Sequence, residues 1–83
     1  MIFLVVEVLV PVLGLGVEKV EIVKFYKKEG ERVEEGEPLV QVITSKVTTD
    51  IEAPVSGVVK KLYGAEGEQI PVQQKIAEIE TEG

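Results

Sequence analysis

Hydrophobic and polar residues alternate along several short segments of this chain. In the segment VTTDIEA, residues 47–53, the odd positions carry Val, Thr, Ile and Ala, whereas the even positions carry Thr, Asp and Glu. A period of two is typical of a strand with one buried face. Four more segments are rich in the β-branched and aromatic residues that strands favour: Val20–Phe25, Leu39–Thr44, Val58–Tyr63 and Ile76–Glu80. The pattern predicts an all-β fold.

The sequence also repeats itself at an interval of 37 residues, without a gap. The positions Ile22, Phe25, Tyr26, Glu29, Gly30, Glu31 and Val33 match Val59, Leu62, Tyr63, Glu66, Gly67, Glu68 and Ile70. Two similar halves favour one quasi-twofold domain over a solenoid, which needs about three or more stacked repeats. We therefore expect two four-stranded antiparallel sheets closed into a flattened barrel, because closure protects strand edges. Periodicity alone leaves open a Greek-key sandwich of different topology.

Two loop residues, Ser45 and Lys46, are predicted to join two of these strands in a tight hairpin. Neither residue type is favoured in a two-residue hairpin loop, where Asn-Gly is common. The flanking residues are all short, Thr-Ser before the lysine and Val-Thr after it, so its amine is expected to stand clear of the surface. An exposed ammonium is a poor nucleophile unless burial or a second cation activates it. Its exposure instead suits modification by another enzyme.

The available side chains exclude most catalytic chemistry. Cys and His are absent, which removes thiol nucleophiles, the common zinc ligands and the imidazole general base. Asp50 is the only aspartate. The net charge of −6 disfavours nucleic acid and anionic membranes as partners, since phosphate binding relies on Lys and Arg. We therefore expect a domain that is not an enzyme and binds neither nucleic acid nor membrane.

The N-terminal run MIFLVVEVLV is apolar but short. It has ten residues, includes Glu7 and stops at Pro11. A membrane-spanning helix needs about 20 apolar residues, and a signal peptide needs a basic start and a small-residue cleavage site. We therefore expect this run to form a buried strand and the protein to be cytoplasmic.

Several sequence landmarks follow one another in a set order between Pro11 and Glu80. They are Pro11 with Leu13-Gly14, Lys28-Glu29-Gly30-Glu31 with Val33, Gly36-Glu37-Pro38-Leu39, Ala53-Pro54 with Gly57, and Glu66-Gly67-Glu68 with Ile70-Pro71-Val72. In their order and spacing the chain resembles the lipoyl domains of 2-oxoacid dehydrogenase acyltransferase subunits. The resemblance implies a single lipoyl domain over residues 1–83 with the flattened-barrel architecture called a barrel-sandwich hybrid.

The same resemblance implies a function. Lipoyl domains hold lipoate in amide linkage on the hairpin lysine, a role that carries over to Lys46. Such a swinging arm carries acyl groups and reducing equivalents between the active sites of a 2-oxoacid dehydrogenase complex. The implied partners are a lipoate ligase, a thiamine-dependent 2-oxoacid decarboxylase, an acyltransferase catalytic domain and dihydrolipoamide dehydrogenase.

Residues close to the lysine are implied to take part in recognition by these partners: Thr44, Ser45, Val47, Leu13, Gly14 and Leu15. The tip reads Ile-Thr-Ser-Lys-Val, whereas lipoyl domains usually carry Glu-Thr-Asp-Lys-Ala. Leu15 stands where an acidic residue often follows Leu-Gly. In the family the loop Val12–Gly16 lies beside the lysine, so both departures bear on partner choice.

Two other functions remain open. A biotinyl carrier domain of a carboxylase shares the fold, although it usually carries methionines beside its lysine and this chain has none there. An unmodified structural barrel would keep the same fold, with Lys46 as a solvated turn residue.

Overall fold

The computed structural model describes residues 3–82, and the regular structure of this segment is entirely β-strand. Eight strands follow one another along it: β1 (Phe3–Leu9), β2 (Lys19–Phe25), β3 (Arg32–Val33), β4 (Pro38–Ile43), β5 (Thr48–Glu52), β6 (Gly57–Leu62), β7 (Gln69–Pro71) and β8 (Lys75–Glu82). They form two four-stranded sheets in the orders β1-β8-β6-β3 and β5-β4-β2-β7, with antiparallel pairing throughout. The predicted all-β class with two antiparallel sheets is confirmed. The same residues include no helix of the length and apolarity that crossing a bilayer requires.

The two sheets are related by the internal repeat. Strands β2, β3 and β4 correspond to β6, β7 and β8 at the 37-residue offset, and they occupy matching places in the two sheet orders. The irregularities correspond as well. One sheet has a register shift between Ile22 and Lys24, and the other has its shift between Val59 and Lys61. The predicted quasi-twofold symmetry is therefore present in the fold.

The remaining strand of each sheet, β5 or β1, comes from outside the 37-residue repeat. β5 pairs with β4, and β1 pairs with β8. Ile51 lies opposite Val40, and Val8 lies opposite Ala77, the repeat equivalent of Val40. β1 and β5 therefore correspond at an offset of 43 residues, and the start of the chain completes the second half of the barrel.

Buried side chains from both sheets form one apolar core, and no polar or charged side chain of the described segment is buried. The alternation expected of a half-buried strand is clear in β2, where Val20 and Ile22 are buried between exposed residues. The largest fully buried side chains include Ile22, Leu39, Ile76 and Ile79. Burial of a side chain of this size contributes about 1.5–3 kcal/mol relative to leaving it in water. The core is thus built mainly from matching positions of the two halves.

The prediction that the N-terminal run forms a buried strand is wrong in one respect. The strand exists as β1, but among the described residues of the run only Val8 and Val10 are buried. Met1 and Ile2 lie outside the described residues. β1 lies at the end of its sheet, so it has a neighbouring strand on one side only. One face and one edge of such a strand meet solvent. Apolar composition predicted the strand correctly and its burial incorrectly.

Two short strands, β3 and β7, are absent from the predicted segments. They have two and three residues, and each contributes one buried side chain, Val33 or Ile70. A single buried position shows no periodicity, so the sequence pattern cannot reveal it. The bounds of the other strands differ from the predicted ones by one or two residues at their ends.

The two Glu-Gly-Glu turns are confirmed. Gly30 and Gly67 adopt φ values of 92° and 86°, which favour glycine. The Gly30 N–H donates to the Val59 carbonyl oxygen at 2.7 Å, and the Gly67 N–H donates to the Ile22 carbonyl oxygen at 2.7 Å. These reciprocal bonds join each half of the chain to the other.

A candidate attachment site at the hairpin tip

The hairpin between β4 and β5 ends in a turn over residues 44–47. Ile43 is the last residue of β4 in register, opposite Thr48 of β5. Beyond this pair, the Thr44 N–H donates to the Val47 carbonyl oxygen at 2.8 Å. Ser45 and Lys46 therefore occupy the two central positions of the turn, where the sequence placed them.

The Thr44 hydroxyl organises this turn. Its oxygen accepts hydrogen bonds from the backbone N–H of Lys46 at 3.2 Å and from that of Val47 at 3.1 Å. In residues 3–82, Gln73 is the only non-glycine residue with positive φ. The turn is therefore of neither the I′ nor the II′ type, since both types need positive φ at a central residue. A side chain thus replaces part of the backbone bonding that a favoured hairpin turn would supply.

Lys46 is exposed at the end of the hairpin. Within the described segment it takes part in no ion pair and no cation–π contact. Some other lysines of the described segment are engaged: Lys75 Nζ lies 2.9 Å from a Glu7 carboxylate oxygen, and Lys24 Nζ lies 4.8 Å from the centre of the Tyr26 ring. Lys19, Lys28 and Lys60, like Lys46, take part in none of these contacts, so what distinguishes Lys46 is its place at the tip. The amine predicted to stand clear of the surface is therefore accessible and uncommitted.

The body of the hairpin is held to the adjacent strand. The Tyr26 hydroxyl, just after β2, donates to a carboxylate oxygen of Asp50 in β5 at 2.8 Å. This bond spans β4, because β4 lies between β2 and β5 in the sheet. The same bond raises the pKa of the Tyr26 phenol above its ordinary value, since the ionised phenolate would face the Asp50 carboxylate. The bond restrains the hairpin whose tip carries Lys46.

A groove of about 550 Å³ runs beside the tip, between the hairpin and the loop that follows β1. Its walls include Thr44 and Ser45 on one side and Gly16 and Val17 on the other. The loop Val12–Gly16 therefore ends beside the turn. This placement agrees with the one that the family resemblance implies.

The structure separates the residues predicted for recognition into three groups. Thr44 and Ser45 line the groove, whereas Val47 lies exposed outside its lining, as does the predicted attachment residue Lys46. Leu15 is fully exposed at the turn that the Val17 N–H closes onto the Gly14 carbonyl oxygen at 3.3 Å. The Leu13 side chain packs against the core instead, so it is poorly placed for a partner.

Sequence reasoning missed several groove residues: Gly16, Val17, Glu18, Lys19, Glu21, Ile43 and Gln69. A signal for some of them was available. At the 43-residue offset, which relates β1 to β5, Pro11 corresponds to Pro54. At the 37-residue offset, which relates the strands that follow, Pro54 corresponds to Val17 instead, so the first half has extra residues between Pro11 and Val17. The loop after Pro11 is therefore an insertion into one half only. Because binding residues lie disproportionately on loops, a loop inserted into one half only is a candidate recognition segment.

No cluster of metal-ligating side chains is present in residues 3–82. The tip presents one primary amine on a restrained turn, and exposed apolar side chains lie around it. Ile43 and Val47 on the hairpin, and Val12 and Leu15 on the loop, all expose a third or more of their surface.

Comparison with known proteins connects this geometry with a family. Residues 6–79 match the Biotin_lipoyl family model, which is described as "Biotin-requiring enzyme". Over 74 residues the chain is 38% identical to the dihydrolipoyllysine-residue succinyltransferase component of the 2-oxoglutarate dehydrogenase complex of Rickettsia conorii, covering 89% of this chain and 19% of that protein. Over 72 residues it is 40% identical to the dihydrolipoyllysine-residue acetyltransferase component of the pyruvate dehydrogenase complex of Mycobacterium bovis, covering 87% of this chain and 13% of that protein. The chain thus spans less than a fifth of either relative.

A solved structure has the same fold. The solution structure of the lipoyl domain of the 2-oxoglutarate dehydrogenase complex from Azotobacter vinelandii superposes with a TM-score of 0.74, over 94% of this chain and 98% of that domain. The two sequences are 24% identical, so the likeness is one of fold. It confirms the flattened barrel predicted from the repeat.

Proposed function

The chain belongs to the biotin/lipoyl attachment family, and on that basis we propose that it is a lipoyl carrier domain with lipoate attached to Lys46. The attachment is an amide between the lipoyl carboxyl carbon and Lys46 Nζ. The observation that carries the proposal is the accessible, uncommitted amine at the tip of the β4–β5 hairpin. In this role the domain displays a reactive group and catalyses nothing itself.

The residues of the tip fit such a group. Amide formation removes the ammonium charge, and Lys46 has no carboxylate partner in the described segment that would lose an ion pair. The neighbouring side chains are small hydroxyl groups and exposed aliphatic groups, which leave the arm unobstructed. Lipoyl rather than biotinyl attachment is favoured by the names of the relatives, which specify a dihydrolipoyllysine residue.

When bound, the lipoyl group supplies a dithiolane that accepts an acyl group together with two electrons. The chain's own contribution is position. The Thr44 hydroxyl oxygen accepts hydrogen bonds from the backbone N–H groups of Lys46 and Val47, which flank the Lys46 Cα. The Tyr26–Asp50 hydrogen bond restrains the strands of the hairpin that carries this turn. A restrained base with a flexible arm raises the local concentration of the reactive group at each site it visits.

We extend the proposal to partners and location. The arm would serve a 2-oxoacid dehydrogenase complex, visiting a thiamine-dependent decarboxylase, an acyltransferase catalytic domain and dihydrolipoamide dehydrogenase after loading by a lipoate ligase. Both relatives are named as components of such complexes. The groove beside Thr44 and the exposed Leu15 and Val47 are the surfaces we assign to recognition. We also propose that the protein is cytoplasmic.

The test is the intact mass of the chain after incubation with lipoate, ATP and lipoate ligase, and separately with biotin, ATP and biotin ligase. One lipoyl increment is expected in the first reaction and none in the second. Because one ammonium is lost, the net charge changes from −6 to −7 and the modified band moves to a more acidic position on isoelectric focusing.

Lys46→Arg keeps the positive charge and should abolish the increment, while Lys24→Arg, a matched change at an engaged lysine, should leave it intact. A biotinyl increment would replace the proposal by the biotin alternative. An increment that survives in Lys46→Arg would place the attachment on another lysine, and no increment from either ligase would favour an unmodified barrel.

A further inference from the structure

The free edge of β1 is unusual within this molecule. β1 and β5 are the end strands at matching places in the two sheets, and they correspond residue by residue at the 43-residue offset. β5 has the protection expected of an edge, because Thr48, Asp50 and Glu52 are its exposed residues. β1 has apolar residues at most of its exposed positions: Phe3 58%, Leu4 51%, Val5 42% and Leu9 48% exposed. One fold thus contains one protected edge and one unprotected edge.

The devices that usually prevent edge pairing are sparse on β1. Its seven residues contain no proline and no lysine. The single charge is Glu7, whose carboxylate lies 2.9 Å from Lys75 Nζ of the adjacent strand. The one irregularity is a register shift between Val8 and Leu9, at the end of the strand. The backbone N–H and C=O groups along the open edge therefore remain available to another strand.

The sequence of β1 is complementary to itself. An antiparallel pair of two copies centred on Val6 aligns all seven residues, from Phe3 opposite Leu9 to Leu9 opposite Phe3. In that register Leu4 faces Val8, Val6 faces its own copy, and Val5 faces Glu7. No pair sets like charges directly opposite each other, which would destabilise it. A twofold interface requires this kind of self-matching surface.

We propose that two copies of this chain associate through antiparallel pairing of their β1 strands. Pairing would join the two β1-containing sheets into one continuous eight-stranded sheet, in which the outward side chains of Phe3, Val5 and Leu9 are covered by those of the second copy. The occupant of the edge is a second copy rather than a basic protein, because the exposed residues of β1 are aliphatic and aromatic and its one carboxylate is already paired. The inference goes beyond carrier function and does not depend on it.

Salt should strengthen this association. Each copy carries a net charge of −6, so the copies repel each other through solvent. The screening length falls from about 10 Å at 0.1 M salt to about 3 Å at 1 M, whereas apolar burial is not screened. The dimer fraction should therefore rise with salt concentration, opposite to the behaviour of an interface held by complementary charges.

The experiment is sedimentation equilibrium of the 83-residue chain between about 1 μM and about 1 mM, for the wild type and for Val5→Glu and Thr48→Glu. Val5 and Thr48 are equivalent positions on β1 and β5, and both substitutions change the net charge by the same amount. In the proposed register only Val5→Glu sets a carboxylate directly opposite Glu7 of the second copy, which destabilises the pair. Wild type and Thr48→Glu should form dimers over this range, and Val5→Glu should stay monomeric. Wild type that is monomeric throughout, or Val5→Glu that still dimerises, overturns the proposal. Equal loss of dimer in both variants also overturns it, since the effect would then be one of net charge.

A second measurement needs no variant. Phe3 and Leu9 lie at opposite ends of one strand, which places them about 20 Å apart within a copy. In a mixture of isotopically labelled and unlabelled chains, a nuclear Overhauser contact between Phe3 and Leu9 therefore reports pairing in the Val6-centred register. A dimer without that contact would pair in another way and would contradict the proposed geometry.

Discussion

At the scale of single residues, the hydroxyl of Thr44 has a specific role in the hairpin. Hairpin turns of two residues are usually closed by backbone bonds in conformations that glycine and asparagine adopt easily. Here Ser45 and Lys46 are the central residues, and the Thr44 oxygen accepts the N–H groups of Lys46 and Val47 at 3.2 and 3.1 Å. A lysine can then occupy a turn position that its backbone preferences would not select.

Replacing Thr44 with valine tests this role. Valine keeps the branched shape but lacks the acceptor, so the free energy of unfolding should fall by about 0.5–1 kcal/mol, the low end for a net hydrogen bond because the turn is exposed. The less ordered turn should also slow modification of Lys46 by the ligase. Urea denaturation and the initial rate of lipoylation measure the two effects.

Thr44→Ser is the matched control, because serine keeps the hydroxyl. It should remain closer to wild type than Thr44→Val in both measurements. Indistinguishable valine and serine variants would show that the hydroxyl has no organising role.

At the scale of secondary-structure elements, the turns before β4 and β8 compare the two halves directly. Gly36 has φ 86°, and its repeat equivalent Gln73 has φ 69°. Each N–H group donates to the carbonyl oxygen of the residue that follows the end strand of its sheet. Gly36 donates to Ala53, after β5, at 2.9 Å, and Gln73 donates to Val10, after β1, at 2.7 Å. The same backbone path is therefore enforced in both halves, with glycine in one and a residue that resists positive φ in the other.

We expect Gln73→Gly to raise the free energy of unfolding by up to about 1 kcal/mol, because relief of left-handed strain exceeds the entropy that glycine adds to the unfolded chain. The reverse change in the other half, Gly36→Gln, should lower it by about 1 kcal/mol. Gln74→Gly is the control at a residue without positive φ, and it should be destabilising. Urea midpoints with constant m-values check all three variants. A less stable Gln73→Gly would mean that the glutamine side chain makes a compensating contribution.

The elements also show what sequence patterns predict well. Strands with several alternating residues, such as β2 and β5, were predicted with their bounds nearly correct, since the side-chain period is a local property. The two-residue strand β3 was not predicted, because it exists only where β6 pairs with it. For the site, Lys46 and its turn followed from local sequence, whereas the inward orientation of Leu13 followed from packing.

At the scale of the whole molecule, paired surface carboxylates set the expected response to acid. Hydrogen bonds from Arg32, Lys27 and Lys75 lower the pKa values of Glu34, Glu37 and Glu78, respectively. Between the folded and the ordinary pKa values, the unfolded chain binds more protons than the folded chain. The stability that these carboxylates contribute is therefore present at neutral pH and lost on acidification.

The free energy of unfolding should thus be nearly constant around neutral pH and should fall below the ordinary carboxyl range of about 4. In Glu78→Gln the fall should be shallower, because one low-pKa carboxylate is gone. Glu66→Gln makes the same change in net charge at a residue outside the ion pairs of the described segment, and it should keep the wild-type slope. Urea denaturation between about pH 3 and about pH 7 measures the slope of the free energy of unfolding against pH. Equal slopes in both variants would contradict the assignment of the acid response to the paired carboxylates.

By itself, the sequence determined the all-β class, the duplicated halves and the position of Lys46 in the hairpin turn. These features rest on alternation, spacing and local turn composition, which are properties of neighbouring residues. Only the tertiary structure decided that β1 joins the second half, that its apolar edge stays open, and that the loop Val12–Gly16 borders the groove beside Thr44. Those outcomes depend on which distant segments pair, and pairing is decided by the packing of one shared core rather than by any single segment.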